Sequence, residues 1–222
     1  MVHVDIIAMD IVILAAGQFP RKDYPLYLLK NAGMLVCCDS ALGAALRHGL
    51  KPDVVIGDFD SVSPRDLSRF DGKVVKVDDQ ECNDLTKAFR YVMDEVVGAS
   101  SADIQILGAT GKSEAHTLGN MSLLMQYEKD YGLSERGARL EMVSDWSSSF
   151  ALTDSAEIHI GEGRRVSFFS PDPGLNLRSE GLRWPLDGVV FDNWWKASLN
   201  IASADIVRLN FNHPSMLLVV LD

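Results

Sequence analysis

Val54-Val55-Ile56-Gly57-Asp58-Phe59-Asp60-Ser61 reads as a short buried strand that ends in a glycine and then offers two aspartates one residue apart. In an extended backbone, residues i and i+2 project to the same side. Asp58 and Asp60 are therefore expected to leave the strand end together, about 7 Å apart. Two carboxylates held in that way repel each other, and more strongly in a poorly solvated cleft than in water. A divalent cation removes the repulsion, and Mg²⁺ is the hard ion that carboxylate oxygens select. The simpler alternative is a solvated turn with two surface acids.

The flanking segments alternate between strand and helix patterns. Upstream, Ile11 to Ala15 reads as a buried strand, Tyr24 to Asn31 as a helix stopped by Gly33, and Met34 to Cys38 as a second strand. Ala41 to His48 follows as a helix with Ser40 as N-cap and Gly49 as its close. Downstream, Pro64 to Phe70 is a short helix capped by Ser63, and Lys73 to Val77 a strand. Asp84 to Val97 is a longer helix with Leu85, Ala88, Phe89, Val92, Met93 and Val96 on its buried face. Asp103 to Leu107, Thr117 to Lys129 and Leu140 to Val143 complete the series as strand, helix and strand. Such alternation predicts an α/β fold, a parallel sheet with helices on both faces.

The pattern changes after Asp145. Apolar residues then alternate or come in short runs, as in Ile158-His159-Ile160-Gly161 and Val166-Ser167-Phe168-Phe169, and none keeps a helical period for three turns. A second, all-β domain is expected there, a small sandwich, which divides the chain into 1–144 and 145–222.

Bulk properties exclude several classes. At 222 residues and 47% apolar, the chain has material for a sizeable core and is no disordered polymer. No apolar run reaches membrane-spanning length. Met1 to Asp10 carries two aspartates and no lysine or arginine, so no signal peptide is expected there. Cys37, Cys38 and Cys82 are too few for a disulfide framework, and the adjacent pair reads as buried thiols of a reducing compartment, the cytoplasm. A net charge of -10 argues against nucleic acid. An anionic ligand would need a metal to bring it in.

Function is read from where the polar residues fall. Each strand of the first half runs into a Gly- or Asp-bearing turn: Gly17, Asp39, Asp58/Asp60, Asp79-Gln80-Glu81 with Asp84, and Gly108-Ala109-Thr110-Gly111. In an open parallel sheet these ends lie on one edge, where ligands bind. Converging acids beside a glycine loop, whose N–H groups can approach phosphate closely, point to a metal–nucleotide site. Gly111-Lys112-Ser113 is not a P-loop, because the first glycine of that motif would fall at Ile106. His116 either touches phosphate or bonds locally, and Asn120 either points into the cleft or packs on a helix surface. His3, His48, His159 and His213 have no partners at metal-ligand spacing. In the second half, Trp184, Trp194 and Trp195 near Ser198 and Asn200 suit a flat heteroaromatic ligand, with a sandwich core as the alternative for each tryptophan. Adjacent strand residues cannot both face a core, which favours Trp184 and one of the pair as ligand contacts.

In these motifs the chain resembles the thiamine pyrophosphokinases. The likeness rests on Asp39, the run Lys51-Pro52-Asp53 through Ser61, Asp79-Gln80-Glu81 with Asn83-Asp84 and Lys87, and Gly108-Ala109-Thr110-Gly111. His116-Thr117-Leu118-Gly119-Asn120 and Gly181-Leu182-Arg183-Trp184 extend it over most of the chain. The resemblance implies a Rossmann-like N-terminal domain, a C-terminal β-sandwich and a homodimer with active sites between subunits. It also implies transfer of the β,γ-pyrophosphoryl group of ATP to thiamine, releasing AMP. By that resemblance Asp39, Asp58, Asp60 and Asp84 hold Mg²⁺ and the phosphates, with Asp39 near the acceptor as well. Gln80, Lys87 and the loop and helix residues Gly108, Thr110, Gly111, Lys112, His116 and Asn120 form the ATP side, and Trp184, Ser198 and Asn200 the thiamine side. Leu199 interrupts the Ser-Asn pair of the family.

Three positions depart from the family pattern, the third more mildly. Ser113 and Ala115 stand where an arginine and an aspartate are usual, and Asn83 where threonine is common. Lys112 and Glu114 lie one residue off, and on a helix that shift turns a side chain by about 100°. This motivates a second reading, a nucleotide- or thiamine-binding member without catalytic competence. A third, an Asp-x-Asp phosphatase of the haloacid dehalogenase type, would need the pair after the first strand, whereas here it follows the third.

Overall fold

Apolar runs buried on both sides form a parallel sheet in the computed structural model, which describes residues 9–60, 62–98 and 100–222. Expectations that concern His3, Ser61 and the stretch before Met9 lie outside the described residues. The strands are β1 (Met9–Leu14), β2 (Met34–Cys38), β3 (Val54–Gly57), β4 (Lys73–Lys76), β5 (Ala102–Leu107) and β6 (Arg139–Val143). They pair in the order β6-β5-β1-β2-β3-β4, and every pair is parallel. Ile11 to Leu14 and Val54 to Ile56 are buried, whereas Lys73 and Lys76 of the terminal strand β4 are exposed. Lysines on an edge strand deter pairing with another chain.

Helices α1 (Asp23–Asn31), α2 (Leu42–Arg47) and α3 (Pro64–Arg69) link the strands that run outward from β1 to β4. Helix α4 (Asp84–Tyr91) returns the chain to β5, on the other side of β1, and α5 (Glu114–Tyr131) leads on to β6. Because crossovers between parallel strands are right-handed, the two sets of helices cover opposite faces. The winding reverses between β1 and β5, which is where doubly wound sheets leave a crevice at their C-terminal ends.

Local departures from the expected elements have identifiable causes. Ser40 does not cap α2: a 3₁₀ turn, Asp39–Ala41, intervenes and the Ser40 N–H bonds the Asp39 side chain. Ser63 precedes Pro64 as expected, yet its hydroxyl makes no cap bond. Helix α5 starts a turn early because the Ser113 hydroxyl accepts the His116 N–H at 3.3 Å. The expected helix through Val97 changes winding after Tyr91 into a π turn, Val92–Val97. A π turn holds more residues than an α turn. The next inward position after Met93 is therefore Val97, not Val96.

The chain divides into two compact units, one running to Leu123 with Leu133–Asp145 added, the other Leu124–Gly132 with Trp146–Asp222. The second unit is an antiparallel β-sandwich. Strands β7 (Ser148–Leu152), β9 (Arg165–Phe169), β11 (Asn200–Ile201) and β13 (Leu217–Leu221) pair in the order β11-β9-β13-β7. Strands β8 (Ala156–His159), β10 (Leu177–Glu180) and β12 (Ile206–Phe211) pair as β10-β12-β8. Alternation sends Val207 and Leu209 into a core with Val166, Phe168, Leu217 and Val219, while Arg208 and Asn210 stay outside. No helix among the described residues is long and apolar enough to cross a membrane.

The shifted winding has a measurable consequence. Val97→Ala should lower unfolding stability by about 2 kcal/mol, the value of two buried methyl groups with the void they leave. Val96→Ala should cost clearly less. Urea denaturation checks this, and equal losses at the two positions would contradict the π turn.

Candidate functional site

The carboxylates expected at the sheet edge meet, but not in the extended geometry that their spacing suggests. Strand β3 stops at Gly57, and Phe59 takes a left-handed φ of 65°. The bend is held from both sides. The Phe59 N–H donates to Asp39 Oδ2 at 2.9 Å, and the Asp60 N–H donates to Asp58 Oδ1 at 3.3 Å. The pair is thus folded by an Asx-type turn. Asp39, Asp58 and Asp60 each bring one oxygen within 4.8 Å of the others. Gly57 makes this possible, because a methyl group at its Cα would overlap the Asp39 carboxyl carbon.

Their environments differ. Asp39 is 1% exposed, and its other oxygen accepts the Ser40 N–H. Burial raises its pKa above the ordinary 3.8, the two N–H bonds oppose this, and the charges of Asp84 and Asp58 add to the rise. Asp58 is half-buried, and its pKa is lowered by the Asp60 N–H, the Gln80 amide and Lys87. Gln80 Nε2 lies 3.3 Å from Asp58 Oδ2. Lys87 is 5% exposed, with Nζ 3.2 Å from Asp84 and 3.5 Å from Asp58. Burial opposes its charge, yet the Asp84 hydrogen bond and the charges of Asp84 and Asp58 prevail and raise its pKa. Asp84, expected as a metal ligand, is thus engaged by Lys87 and stands outside the tight three-carboxylate cluster.

At the winding reversal, the loops after β1 and β5 interlock. Gly17 donates its N–H to the Gly108 carbonyl and Gln18 to that of Thr110. A side chain at Gly17 would collide with both carbonyl oxygens. Beside these loops lies a cleft of about 270 Å³, lined by Gly17, Ser40, Asp84, Lys112, His116 and Asn120 among others. Of the expected nucleotide residues, Gly111, Lys112, His116 and Asn120 line it, whereas Gly108 and Thr110 hold the neighbouring loop. Asn120 does not pack on a helix surface: it donates to the Ala109 carbonyl at 2.7 Å and accepts from Asn83 at 3.3 Å. Asn83 in turn caps α4 by accepting the Thr86 N–H at 2.9 Å. Sequence reasoning missed Ala16, Ser40 and Asn83 as lining residues. An asparagine directly before the acidic first turn of α4 was the available cap signal.

In the second unit the tryptophans are surface residues, with Trp184, Trp194 and Trp195 between 53% and 70% exposed. Trp194 and Trp195 lie in a turn, so strand alternation does not separate them. Trp184 is held by Asn200, which accepts its N–H at 3.2 Å and donates to its carbonyl at 2.6 Å. Asn200 itself is buried and engaged, so it positions Trp184 instead of offering free polar groups. The Arg183 guanidinium lies 5.6 Å from the Trp184 ring centroid. Ser198 donates to the Trp195 carbonyl at 2.7 Å, and Leu199 is accommodated in a left-handed conformation with φ 59°.

Comparisons with known proteins agree with this architecture. A family model described as thiamin pyrophosphokinase, catalytic domain, matches residues 26–133, and one described as thiamin pyrophosphokinase, substrate-binding domain, matches 150–218. Thiamine pyrophosphokinase 1 of Oryza sativa subsp. japonica is 29% identical over 177 residues, 74% of this chain and 64% of the relative. Thiamine pyrophosphokinase 2 of Arabidopsis thaliana is 31% identical over 154 residues, 64% of this chain and 54% of the relative. The chain spans 54% to 64% of the length of these curated relatives. Yeast thiamin pyrophosphokinase has the same fold, with a TM-score of 0.73 at 16% identity over 96% of this chain and 87% of that one. For the Bacillus subtilis protein the TM-score is 0.72 at 21% identity, over 95% of this chain and 97% of that one.

Two outcomes follow from the geometry. Gly57→Ala should displace the Asp39 carboxylate and lower stability by about 1–3 kcal/mol, the usual cost of overpacking, as read by denaturant titration. Unchanged stability would contradict the contact. In metal-free protein, carboxyl NMR should find Asp39 titrating above 3.8 and Asp58 below it. With its folded pKa raised, Asp39 contributes stability at acid pH that is lost as pH rises through that pKa. Asp58 contributes stability above the ordinary carboxylate range, lost as pH falls through its lowered pKa. Coincident midpoints would overturn the assignment.

Proposed function

The chain belongs to the thiamin pyrophosphokinase family, and on that premise we propose that it transfers the pyrophosphoryl group of ATP to the hydroxyl of thiamine, releasing AMP. One observation carries the reading: Asp39, Asp58 and Asp60 converge at the C-terminal ends of β2 and β3, on the same sheet edge as the cleft at the winding reversal.

The donor set fits Mg²⁺. All three ligands are hard oxygens. One oxygen of each lies within 4.8 Å of the others, a span that a single small cation can bridge. When bound, the ion neutralises the polyphosphate and the carboxylates facing it and orients the transferred group.

The protein's own groups do the rest. Phosphoryl transfer needs alignment and charge neutralisation more than covalent help. Lys87 and Gln80 hold Asp58 in place from the α4 side. The Asn120 and Asn83 side chains brace the glycine loop against α4, which keeps the cleft open to a polyphosphate. On the second unit, Trp184, Trp194 and Trp195 offer exposed aromatic faces to the flat rings of thiamine, with Ser198 beside them. The assembly in this reading is a cytoplasmic homodimer with active sites at the subunit interface.

A binding protein without turnover is the second reading, and one feature favours it. Ser113 uses its hydroxyl as the cap of α5, and Ala115 brings no carboxylate to the start of that helix. AMP release from ATP with Mg²⁺, with and without thiamine, separates the two. Thiamine-dependent release is expected, abolished by EDTA and reduced at least about 100-fold by Asp58→Ala. The circular dichroism of that variant should match the parent, since Asp58 lies outside the core. Near-normal turnover by Asp58→Ala would overturn the metal assignment, and no thiamine-dependent release in the parent protein would leave the binding reading.

A further inference from the structure

We propose that Lys112 is the cation that receives the polyphosphate in this chain, held ready on the Ala16 carbonyl until an anion enters the cleft. This rests on the nucleotide reading above and adds the group that replaces the family's arginine.

Several observations converge on Lys112. Among the described residues that line the cleft it is the one lysine or arginine. The neighbouring cation, Lys87, is buried and already engaged by Asp84 and Asp58. Ser113, at the arginine's position, has its hydroxyl on the helix start and carries no charge. Lys112 takes no part in an ion pair among the described residues, and its Nζ donates to the Ala16 carbonyl at 2.8 Å. That bond links the loop after β5 to the loop after β1, the two that meet at the winding reversal.

The backbone explains how a lysine next to the arginine position can serve. Were Lys112 on the helix, a one-residue shift would turn its side chain by about 100° away from the expected direction. Helix α5 begins at Glu114, however, and Lys112 precedes it with a left-handed φ of 58°. Its side chain is aimed by that conformation and not by a helical turn. The left-handed region suits glycine and disfavours a residue with a Cβ, so the lysine is kept there at some cost to the fold. Its present acceptor is a neutral carbonyl. The bond to that carbonyl carries charge on the donor alone, whereas a phosphate oxygen adds the opposite charge on the acceptor, so an entering polyphosphate takes the ammonium from Ala16.

Calorimetry with α,β-methylene-ATP and Mg²⁺ tests the assignment on the parent protein, Lys112→Gly and Lys112→Arg, with AMP as the ligand that lacks the β,γ end. Lys112→Gly is expected to weaken the analogue at least tenfold and AMP less than threefold, and to flatten the salt dependence of analogue binding. Its melting temperature should equal or exceed the parent's, because glycine relieves the left-handed residue. Lys112→Arg should keep analogue affinity within about threefold. If the parent fails to bind the analogue, the nucleotide reading itself falls. If the parent binds and Lys112→Gly binds within twofold, only the role of Lys112 falls. Equal losses for the analogue and AMP, or a lowered melting temperature with weaker binding, would make the lysine structural and overturn the proposal.

Discussion

A carboxylate buried against a glycine organises the C-terminal edge of the parallel sheet. Asp39 is almost wholly removed from solvent, at 1% exposure, and it fits because Gly57 has no side chain. Its two oxygens accept N–H groups from Ser40 and Phe59. The Phe59 bond ties the end of β2 to the end of β3 and holds the bend after Gly57. The bend brings Asp58 and Asp60 toward Asp39. Removing such a group from water disfavours its charge, and the two N–H bonds oppose that effect.

The same logic of close backbone approach recurs at the winding reversal. Gly17 rests on the carbonyls of Gly108 and Thr110, so the loops after β1 and β5 form one interlocked wall. Ser113 starts α5, Asn120 braces the glycine loop, and Asn83 joins α5 to the first turn of α4. Polar side chains here mainly hold loops in register. That leaves few free charges at the cleft, which gives the single lysine among its lining residues its weight.

The charge balance at this edge differs from that of the chain as a whole. The net charge of -10 repels polyphosphate at long range. At this edge Lys87 offsets Asp84 and Asp58, Lys112 donates to a neutral carbonyl, and three carboxylates each bring an oxygen within 4.8 Å of the others. The tryptophan-bearing unit has a different character, with aromatic faces left in solvent and a polar residue, Asn200, buried to hold one of them.

Much of this was legible in the residues alone. Alternating apolar runs and helical periods specify the doubly wound sheet and the sandwich, since burial on one or two faces leaves a period in the chain. Acids and glycines at strand ends pointed to one edge of the sheet, because a parallel sheet puts those ends together. The resemblance to a family came from the same turns. What the chain could not reveal depended on contacts between residues far apart in sequence. The left-handed bend at Phe59 follows from Asp39, twenty residues earlier, and the burial of Val97 in place of Val96 from a π turn that no local period announces. The engagement of Asp84 by Lys87, of Asn200 by Trp184 and of Lys112 by Ala16 likewise needed coordinates. Residue type and spacing determine which groups can reach an edge; only the packed structure decides which of them already have a partner there, because a hydrogen bond is a matter of position in space and not of order along the chain.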